Sequence, residues 1–137
     1  MWTYKGAVFT EDMVCDNMVG FVYIITNLSN GMKYIGQKKF GSRRKVVRKG
    51  KRTKRVYKAS DWQTYFGSNL ELQKDVEVLG EKHFTREILY LCESKAEMNY
   101  RELKEQMDRD VLLKPHEYYN AYAGGRISRK QLTSMLP

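Results

Sequence analysis

Apolar and polar positions along the chain fall into short runs of strand type and two stripes of helical spacing. Residues 20–27, Gly-Phe-Val-Tyr-Ile-Ile-Thr-Asn, are β-branched and aromatic and predict a strand. Asn30-Gly31 follows, a pair that tolerates positive φ and favours a tight hairpin, and Met32-Lys33-Tyr34-Ile35-Gly36 returns as a second strand. Residues 83–92, His83 to Cys92, predict a third strand whose later half is apolar and buried on both faces. Asp61-Trp62 opens a short helical stretch ending near Gly67. Ser68 with Glu71 then has the spacing of a capping box, starting a helix that places Leu72, Val76 and Leu79 on one face and stops at Gly80. Ser94 with Glu97 is a second box, opening a helix to about Arg109. Ala96, Tyr100, Leu103 and Met107 form its core-facing stripe, beside a second stripe of Met98, Glu102 and Gln106.

Residues 1–19 show no clear period and read as an irregular or short helical lead-in. After Val111-Leu112-Leu113, Pro115 breaks the chain, and Tyr118-Tyr119-Asn120 leads to a Gly124-Gly125 turn and a short basic tail over 123–137. The order strand, strand, helix, strand, helix predicts an α+β fold: a small, mainly antiparallel three-stranded sheet with flanking helices, in one domain over 20–122. At 137 residues there is room for one compact domain.

Charge changes this picture more than composition does. The net charge is +9, but residues 37–58 alone hold twelve Lys or Arg and no acid: Lys38, Lys39, Arg43, Arg44, Lys45, Arg48, Lys49, Lys51, Arg52, Lys54, Arg55 and Lys58. The remainder carries 13 basic against 16 acidic residues, a net of −3. A mildly acidic body with one cationic strip predicts a polyanion partner, above all the phosphate backbone of nucleic acid, because clustered like charges repel until counter-charge arrives. The strip has little apolar periodicity and reads as mostly loop, with a helical piece near 42–47. A solvated, solubilising loop is the plainer alternative.

Cys15 and Cys92 are far apart and in no metal-ligand spacing, which excludes a disulfide framework or zinc site and fits reduced thiols. No apolar run approaches a membrane span, and the N-terminus lacks a signal-peptide pattern. A cytoplasmic protein without membrane or small-molecule cofactor is expected.

The hairpin resembles the catalytic core of the GIY-YIG nucleases. The matching triplets are Phe21-Val22-Tyr23 and Tyr34-Ile35-Gly36, with Tyr34 eleven residues after Tyr23; Phe21 stands where the first triplet has Gly, and Gly20 sits one place earlier. The family's further landmarks follow in order: Arg44, ten residues past Tyr34, where the family has an arginine on a helix; Glu102 on a later helix; and the Tyr119-Asn120 pair. The stretches Tyr34 to Lys39 and Ser60 to Ser68 look most like short, stand-alone members of bacteriophages, which implies the host cytoplasm. The resemblance implies an endonuclease that cuts or nicks double-stranded DNA with one Mg²⁺ or Mn²⁺, leaving a 5′ phosphate and a 3′ hydroxyl.

Phosphodiester hydrolysis needs an activated water, stabilisation of added negative charge and help for the departing oxygen. The resemblance makes Glu102 the metal ligand, a hard oxygen donor suited to a Lewis-acidic cation, with Glu105 and Glu97 as fallbacks. Arg44 is the charged fork for the transition state, with Arg43 one register step away. Tyr23 is the family's favoured general base, although a phenol of pKa about 10 needs a cation nearby to serve. Tyr34 orients water or phosphate, and Asn120 braces the site or caps the turn before Gly124. The other cations of the strip, Lys38, Lys39, Arg43, Lys45, Arg48, Lys49, Lys51, Arg52, Lys54, Arg55 and Lys58, are read as phosphate contacts. A non-catalytic nucleic-acid-binding domain using the same strip is the alternative function, and a homodimer pairing two sites for a double-strand cut is left open.

Overall fold

A computed structural model describes residues 1–46, 54–124 and 127–130, with the side chains of 43–46, 54–56 and 127–128 outside that description. Its main sheet has five strands: β1 (Trp2–Tyr4), β2 (Ala7–Val8), β3 (Gly20–Asn27), β4 (Lys33–Lys39) and, later in the chain, β7 (Phe84–Cys92). Their order is β2-β1-β7-β3-β4. Neighbours are antiparallel except β1 and β7, which run parallel, so the sheet is mixed and larger than the expected three-stranded one. The lead-in supplies the two extra strands. Its tie is Trp2, which is buried, donates from Nε1 to the Trp62 carbonyl at 2.7 Å, and packs edge-on against Phe21 and Tyr23. One aromatic anchor, not a periodic pattern, recruits this edge, and periodicity could not show it.

β3 is an interior strand between β7 and β4, covered on both faces, so its side chains are apolar almost without interruption. Phe21, Tyr23 and Ile25 point to an aromatic layer with Trp2, Phe9, Phe40 and Trp62, closed by Leu72 of α1 (Leu70–Leu79). Val22 and Ile24 point the other way, toward Met98 of α2 (Lys95–Asp108), Val111 and Leu112. Phe21 is fully buried against Trp2, Phe40 and Trp62, so its departure from the glycine of the resembled triplet is absorbed by core packing. Each such aromatic pair contributes about 0.5–1.5 kcal/mol beyond the area it buries. The ladder between β3 and β7 shifts register at Val22/Tyr23, a bulge beside the first tyrosine.

Three local expectations are corrected. Helix α1 is capped by Asn69, whose Oδ1 accepts from Leu72 N at 2.9 Å; Ser68, one residue before, bonds elsewhere. Helix α2 starts at the expected Ser94 cap, but Tyr100, Leu103 and Met107 are exposed, while Met98 and Gln106 are buried and Glu102 is half-buried. The helix turns its mixed stripe inward because the polar members find partners on β4. The segment after β4 is a two-stranded antiparallel ribbon, β5 (Gly41–Val46) with β6 (Lys54–Ala59), where loop and a helical piece at 42–47 were expected. Beyond the 3-10 turn at Val111–Leu113, β8 (Tyr122–Ala123) pairs with β9 (Ile127–Ser128) around Gly124, whose φ is +59°.

Candidate active site at the edge of the sheet

Strand β4 is the outer strand on its side of the sheet. Its outward backbone groups need partners, and the segment 117–120 supplies them. Lys33 N donates to Glu117 O and Tyr119 N donates to Lys33 O, each at 2.8 Å. Two residues further along β4 the side chain of Asn120 takes over. Its Oδ1 accepts from Ile35 N at 3.1 Å, and its Nδ2 donates to Ile35 O at 2.8 Å. The amide thus stands in for the peptide of a neighbouring strand, and Asn120 is 2% exposed. It braces β4 instead of capping the turn at Gly124.

Side chains from both faces of the sheet meet around this edge. Tyr34 emerges on the α1 side and its hydroxyl bonds Ser68 Oγ at 3.0 Å, just before the Asn69 cap. Glu102 and Gln106 come from α2 on the other side. Together with Asn120, Asn69, Tyr122 and Gly124 they line an open cleft of about 570 Å³. Three of the expected site residues, Tyr34, Glu102 and Asn120, therefore share one concave surface.

Tyr23 lies behind this surface. It is 1% exposed, its ring packs 6.2 Å from that of Tyr34 and 6.1 Å from that of Tyr65, and its tip covers Gly36. A Cβ on Gly36 would collide with the Tyr23 hydroxyl, which explains physically why the second triplet ends in glycine. Burial, then the neighbouring Tyr34 and Tyr65, hold the Tyr23 proton well above the ordinary phenol range. Burial also raises Tyr34, partly opposed by the bond to Ser68. Both phenols are protonated in the resting protein.

Glu102 is held from one side only. Gln37 Nε2 donates to its Oε1 at 3.2 Å, and Gln37 is itself fixed by Asn99 Oδ1 at 2.9 Å and by Lys95 Nζ at 2.8 Å. Among the described residues no hydrogen bond reaches Oε2. Burial raises the Glu102 carboxyl above its usual value, with Gln37 and Lys95 pulling the other way. A half-buried carboxylate that lines a cleft is a hard oxygen donor of the kind divalent cations take. Among the described residues no group of three His, Cys, Asp or Glu could cage an ion. The fallback acids are committed elsewhere: Glu105 accepts from Tyr90 and Arg109, and Glu97 from Arg101 and Glu93 N.

The arginines stand on the ribbon and not on a helix. Arg43 pairs in register with Tyr57 and Arg44 with Val56. In the same ladder Lys45 is in register with Arg55 and Val46 with Lys54. Lys58 is exposed, as is Lys39, which borders a separate hollow beside Tyr57 and Ala59. Lys38 pairs with Asp61 at 2.7 Å and lies 4.2 Å over the Tyr65 ring. Arg48, Lys49, Lys51 and Arg52 lie outside the described residues. Gln37, Ser68 and Gln106 were not among the expected site residues. Gln37 directly follows the second triplet, and Gln106 shares the Glu102 stripe, so both signals were present in the pattern.

Residues 2–123 match the family described as "Putative endonuclease segE, GIY-YIG domain". No curated protein and no solved structure matches the chain. A hairpin bearing the two tyrosines, an edge cleft with one glutamate from α2 and a match over most of the length agree: this chain belongs to the GIY-YIG nucleases. Within them it falls in the segE-type endonuclease domain family. No helix among the described residues is long and apolar enough to cross a membrane.

Proposed function

We propose that the protein is a divalent-metal-dependent endonuclease that hydrolyses phosphodiester bonds of double-stranded DNA at the β4-edge cleft. The observation that carries this reading is the convergence of Tyr34, Glu102 and Asn120 on one open cleft, with no hydrogen bond from the described residues to Glu102 Oε2. Hydrolysis forms a bond from a water oxygen to phosphorus and breaks the bond from phosphorus to the 3′ oxygen. The water gives up a proton, and the departing oxygen takes one up.

Glu102 would hold the Mg²⁺ or Mn²⁺, which supplies Lewis-acid stabilisation of the charge that develops on the phosphate. Tyr34 and Ser68, whose hydroxyls already share a hydrogen bond, orient the phosphate or the attacking water. Tyr23 starts as a protonated phenol packed under Gly36; to take the water's proton it must first release its own to solvent, a loss that a cation bound nearby would favour and the anionic substrate would not. Arg44, or Arg43 beside it, supplies the guanidinium for the transition state, carried in on the ribbon. Asn120 keeps Ile35, and with it the β4 backbone between Tyr34 and Gly36, in place.

The twelve cations of 37–58 bind the phosphate backbone. In this reading the ribbon is a charged arm laid on the duplex, with the cleft behind it doing the cutting. A single site in a monomer nicks one strand, and pairing of two copies would be needed for a double-strand cut. The decisive comparison is gel-shift binding against cleavage for Glu102→Ala: binding kept and cleavage lost supports the enzyme, while unchanged cleavage removes Glu102 from the mechanism.

A further inference from the structure

Gln106 has no part in the hydrolysis described above, yet it is built into the same cleft. It lies one turn after Glu102 on α2, so both side chains leave the same face of the helix and line the same hollow. Gln106 is 4% exposed. Its Nε2 donates to Ile35 O at 3.3 Å, which leaves Oε1 at the other end of the amide. That oxygen is buried, and among the described residues no donor reaches it.

A structural role alone explains this residue poorly. Ile35 O already accepts from Asn120 Nδ2 at 2.8 Å, so it does not depend on Gln106. A methionine would fill the same volume without burying a bare acceptor, and buried acceptors in folded proteins are nearly always met by a donor. Gln106 lines the cleft, and a ligand held there would supply the missing donor.

We propose that Gln106 is a positioning residue for the divalent cation of this site. Its Oε1 accepts a hydrogen bond from the water shell of the ion, while the Glu102 carboxylate meets the ion's charge; this rests on the assignment of Glu102 as the cation-binding residue. Mg²⁺ and Mn²⁺ held by a single carboxylate keep several waters, and water polarised by a dication is a strong donor. A neutral amide oxygen orients one of those waters without adding negative charge, so the site stays receptive to phosphate. Outer-shell acceptors of this kind tune metal affinity in other proteins.

The test is Mn²⁺ binding to the whole chain without DNA, followed by electron paramagnetic resonance, with thermal melts alongside. The variants are Glu102→Gln, Gln106→Met and Gln106→Glu. Binding should vanish in Glu102→Gln, weaken about tenfold in a folded Gln106→Met, and be equal to wild type or tighter in Gln106→Glu, which keeps the acceptor oxygen. Wild-type Mn²⁺ affinity in Gln106→Met, with Glu102→Gln inert, overturns the role of Gln106 and leaves Glu102 standing. Wild-type affinity in Glu102→Gln overturns the assignment of Glu102 itself. Should Gln106→Met not fold, weaker binding by Gln106→Glu is the overturning result.

Discussion

Asn120 holds both backbone polar groups of Ile35 with its one side-chain amide, eighty-five residues away in sequence. Replacement by alanine strands the buried Ile35 N–H, while Ile35 O keeps Gln106 Nε2. The expected cost is about 1–3 kcal/mol in urea unfolding. Asn120→Asp should cost at least as much, because the second carboxylate oxygen would face Ile35 O. A stability equal to wild type in the aspartate variant would refute the clasp.

Gly36 is required by what lies over it. Alanine there would push on the Tyr23 hydroxyl and crowd the Tyr34 ring. Overpacking of this kind costs about 1–3 kcal/mol. In the proposed enzyme the displaced tyrosines should also lower cleavage beyond the loss of folded protein, a difference visible when activity is normalised to the folded fraction by circular dichroism.

The edge cleft was partly legible in the amino-acid sequence, because hairpin turn chemistry at Asn30-Gly31 and the β-branched run of β3 are local signals. The capping residue Ser94 was equally local, and it is where expected. What escaped depended on distant contacts. Trp2 brings β1 to β7 through Trp62, sixty residues away, and no period announces that. The roll of α2 went unseen because its most apolar stripe is the exposed one; the inward stripe is chosen by Gln37 and Ile35 on β4, which offer partners to Glu102 and Gln106. The ribbon was hidden by its charge, since a two-stranded arm buries too little to show an alternating pattern.

Glu102 should make stability and cation binding depend on pH in opposite directions. Its carboxyl is raised by burial, so its contribution to stability is full below the unfolded value and is lost as pH rises through the higher folded value. Glu102→Gln should therefore be more stable than wild type at pH 7.5, with the gap closing toward acid pH in urea melts. Mn²⁺ needs the ionised form, so its affinity should fall on acidification at a pH above the ordinary glutamate range. A stability gap independent of pH would contradict the burial argument.

The ribbon should contribute charge more than shape. Replacing Arg43, Arg44 and Lys45 with alanine should flatten the dependence of log affinity on log salt by about 0.9 for each phosphate no longer neutralised. Fluorescence anisotropy of a labelled duplex across a salt series measures this. An unchanged slope would take the ribbon off the DNA.

The central claim is that Glu102 at the β4 edge drives hydrolysis, and supercoiled plasmid tests it most directly. Wild-type protein with Mg²⁺ or Mn²⁺ should convert the plasmid to open circles, EDTA should stop the reaction, and Glu102→Gln should slow it about a hundredfold or more while still binding duplex. Nicking by Glu102→Gln at the wild-type rate, or none by wild type with either cation, would contradict it.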